Sequence, residues 1–103
     1  MIHISFYVPV KDSERVKNAM FQAGAGKIGN YDQCSFEVKG IGQFRPLEGS
    51  KPAIGTLDEL EKVEELKVDM VCEEALVREV INALKKSHPY ETPAYYTIEI
   101  LDY

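Results

Sequence analysis

The segment His88–Pro89–Tyr90–Glu91–Thr92–Pro93 places an imidazole, a phenol and a carboxylate between two prolines. Histidine can act as a general base or a metal ligand near neutral pH. Glu91, three residues on, can orient or charge-pair that ring. Two such groups fall short of the three protein ligands that a catalytic zinc site needs. The other histidine, His3, sits at the start of the chain's first strand pattern, so it can join His88 only from another subunit. No serine or cysteine stands in a nucleophile-elbow or triad context, and no catalytic residue is assigned. The same segment also suits a stiff corner. Pro89 cannot continue a helix, each proline pushes its predecessor toward extended geometry, and His88 as a cation suits helix C-terminal carbonyls.

Three other patterns invite chemistry. Gly24-Ala25-Gly26-Lys27-Ile28-Gly29 spells G-x-G-x-x-G, but it follows a helix and leads into a strand. Its amides therefore lack the helix N-terminus that a dinucleotide site uses, and a turn is expected. The acidic run Asp58, Glu59, Glu61, Glu64 and Glu65 lacks the spacing and turn glycine of a calcium loop, so a solvated loop end is expected. Cys34 and Cys72 are too few and too far apart for a zinc ribbon or a disulfide scaffold. Both sit in strand-like apolar runs and are expected as buried thiols. A bridge at the open end of a hairpin is geometrically open to them, but a reducing cytosol disfavours it.

The elements that position these groups follow from hydrophobic periodicity. Ile2, Ile4, Phe6, Val8 and Val10 alternate as a half-buried strand. Asp12 or Ser13 can cap a helix whose apolar face is Val16, Ala19, Met20 and Ala23, ended by Gly24. Cys34, Phe36 and Val38 predict a second strand, and Leu66, Val68 and Met70 a third. Residues 40–60, rich in glycine and proline, predict a long connection, of a kind that is often functional or interfacial. Leu76, Val77, Val80, Ile81 and Leu84 give a helix over 73–87, with acidic residues first and lysines last, as the helix dipole favours. Tyr96, Ile98 and Ile100 give a last strand. The order is β-α-β-β-α-β, an α+β ferredoxin-like sandwich with strand order 4-1-3-2, in which both helices cover one face of an antiparallel sheet.

A chain of 103 residues fits one domain over 1–103 with a real core. Its 45% apolar and 28% charged content is that of a globular protein, and the net charge of −5 argues against a nucleic-acid partner. No apolar run reaches membrane-spanning length and no basic leader precedes the first strand, so a cytoplasmic protein without a membrane partner is expected. The sheet's other face, with His3, Ser5 and Tyr7 beside Tyr95, Thr97 and Glu99, lacks the paired strand-three aromatics of RNA-binding sheets. An apolar, aromatic face of this kind suits self-association. Tyr7, Tyr95, Leu101 and Tyr103 are the expected oligomer face.

Three segments in order, "GAGKIGNYDQCSF", "GIGQFRPLEGSKPAIG" and "HPYETPAY", together resemble the insertion domain of the Nif-three-like (NGG-one-interacting-factor) family, also known as type-two GTP cyclohydrolase-like proteins. The resemblance covers essentially the whole chain. The family's usual ending is His-Pro-Tyr-Glu-Glu-Pro-Ala-Tyr-Asp. Here Thr92 and Tyr96 stand at its fifth and last positions, so roles resting on those two carboxylates are not expected. The family's two-metal centre lies in flanking halves outside this chain, and its hydrolase-like chemistry does not carry over. The insertion domain is similar in fold to PII and CutA, which are trimeric. The resemblance therefore implies a homo-oligomer, trimer or dimer, that binds a small ligand, a metal ion or a protein in clefts between subunits, in a regulatory rather than catalytic role. Arg45, His88, Tyr90 and Glu91 are the residues implied for such a cleft. No cofactor is required, and a divalent metal ion is compatible. The alternatives are a metal-assisted hydrolase using His3 and His88 of neighbouring subunits, and a purely structural self-associating domain.

Overall fold

In the computed structural model, which describes residues 1–103, six main elements follow one another. They are β1 (Ile2–Pro9), α1 (Ser13–Gln22), β2 (Phe36–Phe44), β3 (Glu61–Cys72), α2 (Val77–Ser87) and β4 (Tyr95–Glu99). Short 3-10 turns, Val10–Asp12 and Glu74–Leu76, lead into the two helices. The strands form one antiparallel sheet in the order β2-β3-β1-β4. This is the expected ferredoxin-like architecture.

The core lies between the helices and one sheet face. Ile4, Phe6 and Val8 of β1 and Leu66, Val68 and Met70 of β3 alternate into it and meet Val16, Met20, Val80 and Leu84 of the helices. Burying an aliphatic or aromatic side chain of this size contributes about 1.5–3 kcal/mol. No helix is long and apolar enough to cross a membrane.

The hairpin of β2 and β3 is longer than its apolar pattern predicts. Pairing runs from Phe36↔Asp69 to Phe44↔Glu61, so the connection is 45–60 rather than 40–60. Gly40 and Gly42 are strand residues, not turn residues. A Cβ on Gly42 would stand 1.7 Å from Glu65 Oε1, so the glycine leaves room for the carboxylate in its present place. The acidic run is corrected with it. Glu61, Glu64 and Glu65 belong to β3, and Glu65 is buried.

The parity of β4 also differs from expectation. Phe6 pairs with Tyr95 and Ser5 with Tyr96, so Tyr95 shares the helix-facing side with Phe6. It packs against the core, with Lys85 Nζ 5.7 Å from its ring centroid. Tyr96 and Ile98, 60% and 61% exposed, face outward beside Ser5 and His3. The cause is local: Tyr95 and Tyr96 are both aromatic, and in β4 the apolar alternation of Tyr96 and Ile98 marks the outer face rather than the core. Leu101 and Tyr103 follow β4 and are exposed.

The cysteines do not meet. Cys72 closes the core side of β3, whereas Cys34 lies short of β2, half-buried, in a groove with His3, Phe36 and Asp69 of the opposite face. Both thiols are free. The glycine run is the expected turn. Gly26, at φ +84°, donates its N–H to the Val71 carbonyl at 2.7 Å, tying the turn to the sheet.

Candidate functional site

The corner is built on the edge of β1. Beyond Phe6, β4 no longer pairs with β1, and the backbone groups of Tyr7 need other partners. The Tyr7 N–H donates to the Ala94 carbonyl at 3.3 Å. The Tyr7 carbonyl accepts from His88 Nε2 at 2.7 Å, and His88 Nδ1 accepts from the Tyr90 N–H at 3.0 Å. Together these bonds define the neutral Nε2–H tautomer. Burial holds the His88 pKa below its ordinary value, against the opposing pull of the Tyr7 carbonyl and of the Glu65 and Asp12 charges. His88 is therefore not the cation expected at the helix end, and it has no free nitrogen for a metal.

The helix ends anchor the same corner. Arg15 donates from Nε to the Ser87 carbonyl at 3.1 Å and pairs through Nη1 with Asp12 Oδ1 at 3.0 Å. Asp12 is buried, and its Oδ2 has no partner. The Asp12 side chain caps no helix N–H, and the Ser13 hydroxyl instead donates to the Val10 carbonyl at 2.8 Å.

Between the corner and the 45–60 connection lies a cavity of about 260 Å³. Tyr7, Gln43, Phe44, Glu65, Tyr90 and Glu91 are among its walls. The Phe44 and Tyr90 rings lie 5.8 Å apart between centroids, and the His88 ring backs Tyr90 at 5.0 Å. Glu91 closes the rim by accepting from the Lys51 N–H at 2.9 Å, which fastens the connection to the corner. The Tyr90 hydroxyl is buried and lies against the Glu65 carboxylate. Burial first, and then the Glu65 charge, raise its pKa well above the ordinary phenol value, so it stays protonated.

Of the residues implied for a ligand cleft, Tyr90 and Glu91 line this cavity. His88 stands behind Tyr90, engaged at both ring nitrogens, and Arg45 is exposed beside buried Pro46 outside the lining. Glu65 and Phe44 line the same cavity and were not among the expected residues. The acidic run disguised Glu65, and its one signal is Gly42, which is diagonal to it across the hairpin.

At the other end of the sheet, His3 Nε2 lies 3.0 Å from Asp69 Oδ1, and Ser5 Oγ donates to the same oxygen at 2.5 Å. Burial raises the Asp69 pKa, but hydrogen bonds from Ser5 and His3 and the Lys67 charge outweigh it and hold the carboxyl below its ordinary value. Ser5 Oγ lies 3.5 Å from the same His3 nitrogen that meets Asp69, so serine and aspartate share one ring nitrogen, which is not the relay of a triad. No three histidine, cysteine or acidic side chains come together as a metal site, so one chain does not by itself fit a metal centre.

No family model matches the chain. It is 48% identical over 92 residues to the GTP cyclohydrolase 1 type 2 homolog of Bacillus subtilis, covering 89% of this chain and 25% of that protein. It is 40% identical over 103 residues to the homolog of Listeria monocytogenes, covering 97% of this chain and 28% of that one. The chain thus spans about a quarter of the length of the curated relatives it matches. Among solved structures, a Bacillus cereus protein related to NIF3 superposes with a TM-score of 0.80 at 40% identity, over 93% of this chain and 24% of that one. CutA1 from Pyrococcus horikoshii superposes with a TM-score of 0.71 at 20% identity, over 100% of this chain and 86% of that one, a likeness of fold alone. The chain is homologous to one segment of the NIF3-related, GTP cyclohydrolase 1 type 2 homolog proteins, and it carries the PII-like ferredoxin fold of CutA.

Proposed function

We propose that this chain is a self-associating, non-catalytic module that binds a small ligand in the cavity between the 45–60 connection and the corner at 88–94. The observation that carries this reading is the cavity itself: aromatic walls, a buried carboxylate, and a rim fastened by the Glu91–Lys51 bond. A few polar groups in an apolar hollow is the usual makeup of a ligand site. His88, the one histidine near it, holds the wall and has no free nitrogen with which to act as a base. Tyr96 and Ile98 stand exposed side by side on the outer sheet face, which supports self-association. Regulation by ligand-dependent changes in the 45–60 connection follows naturally, because that connection forms part of the cavity wall.

The test is a thermal-shift screen of metabolites and metals on the wild type and on Ala53→Trp, which fills the cavity from its lining. Compounds that stabilise the wild type and lose that effect in Ala53→Trp support the reading. A screen in which both proteins respond alike contradicts it.

A second reading is a divalent cation held at a contact between copies. It rests on the His3–Asp69 pair, which lies on the uncovered face and offers two ligands that a second copy can complete. A structural relative from Archaeoglobus fulgidus is described as a periplasmic divalent cation tolerance protein. Zinc retained in equilibrium dialysis by the wild type and lost in His3→Ala supports this reading, and equal retention ends it.

A further inference from the structure

The cavity's charge is one-sided. Glu65 is only 9% exposed yet lines it, with the Tyr90 hydroxyl against its carboxylate and no cation paired to it. Glu91 adds a second carboxylate at the rim, and none of the wall residues is basic. A carboxylate has room for more than one donor, and one that lines a cavity with no cation beside it is placed to take a further donor from a ligand. Gly42 leaves the space that the carboxylate occupies beside β2, and a Cβ there would make the Glu65 side chain move.

The chemistry that answers a buried carboxylate best is a planar group with two parallel N–H donors, which engages both oxygens at once. The walls next to it are rings: Tyr7, Phe44 and Tyr90. We propose that the cavity takes a flat small molecule with an amidine-like edge, its paired N–H groups on Glu65 and its ring among those three aromatics. Amidines, guanidines and amino-substituted nitrogen heterocycles share that edge, whereas carboxylates and phosphates are excluded by Glu65 and Glu91. The volume of about 260 Å³ suits one or two fused rings rather than a nucleotide with its phosphates. An arginine guanidinium from a second copy carries the same edge but brings no ring for the aromatic walls. This proposal rests on the ligand-binding reading above and adds the class of ligand to it.

The test uses calorimetric titration of the full chain with three shape-matched probes: benzamidine, benzamide and benzoate. Benzamidine is expected to bind, benzamide to bind about tenfold more weakly or worse, and benzoate not to bind. In Glu65→Gln the preference for benzamidine over benzamide is expected to vanish, with far-ultraviolet circular dichroism confirming the fold. The charge series on the wild type stands even if that variant misfolds. Benzoate binding as well as benzamidine, or a benzamidine affinity unchanged in Glu65→Gln, overturns the proposal. So does a wild type that ignores benzamidine while Glu65→Gln loses native mass, because Glu65 then belongs to a contact between copies. If benzamidine fails but other compounds bind in a manner blocked by Ala53→Trp, the ligand-binding reading stands and the class assigned here falls. If nothing binds, both fall.

Discussion

His88 Nε2 donates to the Tyr7 carbonyl at 2.7 Å and so occupies the place on the edge of β1 that a continued β4 would have filled. A side chain completes the ladder where the backbone turns away. Removing it, as in His88→Ala, leaves the Tyr7 carbonyl and the Tyr90 N–H unpaired in a buried corner. Urea unfolding is expected to show a loss of roughly 2–3 kcal/mol.

The same contact gives stability a pH dependence. The folded chain holds His88 neutral, with its pKa below the ordinary value, so below about pH 6.5 the unfolded chain binds more protons. The contribution is therefore full above that pH and is lost as pH falls toward the depressed folded value. Asp12, Glu65 and Arg15 also act on this ring, the two carboxylates favouring protonation and the arginine opposing it. Unfolding measured from pH 8 downward is expected to show a shallower slope for His88→Ala than for the wild type below about pH 6.5.

Gly40 and Gly42 provide a matched pair. Gly40 has open space at its Cβ position, whereas a Cβ on Gly42 would collide with Glu65. Gly42→Ala is expected to destabilise by about 1–3 kcal/mol, while Gly40→Ala is neutral or stabilises by up to about 1 kcal/mol. Adding Glu65→Ala to Gly42→Ala should recover part of the loss. Equal melting temperatures for the two single variants would show that the close approach is not maintained in solution.

The uncovered sheet face separates Tyr96 from its neighbour. Tyr96→Glu with Ile98→Glu is expected to lower the native mass in light scattering while leaving circular dichroism unchanged. Tyr95→Glu is expected to lower the melting temperature instead, because that ring packs on the core. An unchanged native mass in the double variant would contradict self-association through this face.

The two thiols should differ in reactivity. Burial raises the Cys72 pKa and closes it off, whereas Cys34 is half-exposed. Alkylation of the native chain is expected to stop after Cys34, with Cys72 reacting only on unfolding.

The architecture was legible because its core strands and helices keep clean periods: Ile4, Phe6 and Val8 at two, and Val16, Met20, Val80 and Leu84 at helical spacing. The site was legible in part. Tyr90 and Glu91 stood out within a proline-framed segment, and both line the cavity. Glu65 did not, because a buried carboxylate carries no hydrophobic signal and its burial depends on the register with Gly42. Tyr95 and Tyr96 show a further limit. Adjacent aromatics leave the strand's parity open, and pairing with Phe6 and Ser5 decides it.

The most direct test of the account is hydrogen exchange on the full chain, with and without the compound that gives the largest shift in the thermal screen. Slowed exchange is expected to be confined to 45–60, 88–94 and the part of β3 around Glu65. Protection confined to α1 and α2 or to the outer end of the sheet at His3 and Asp69, with 45–60 unchanged, would contradict it.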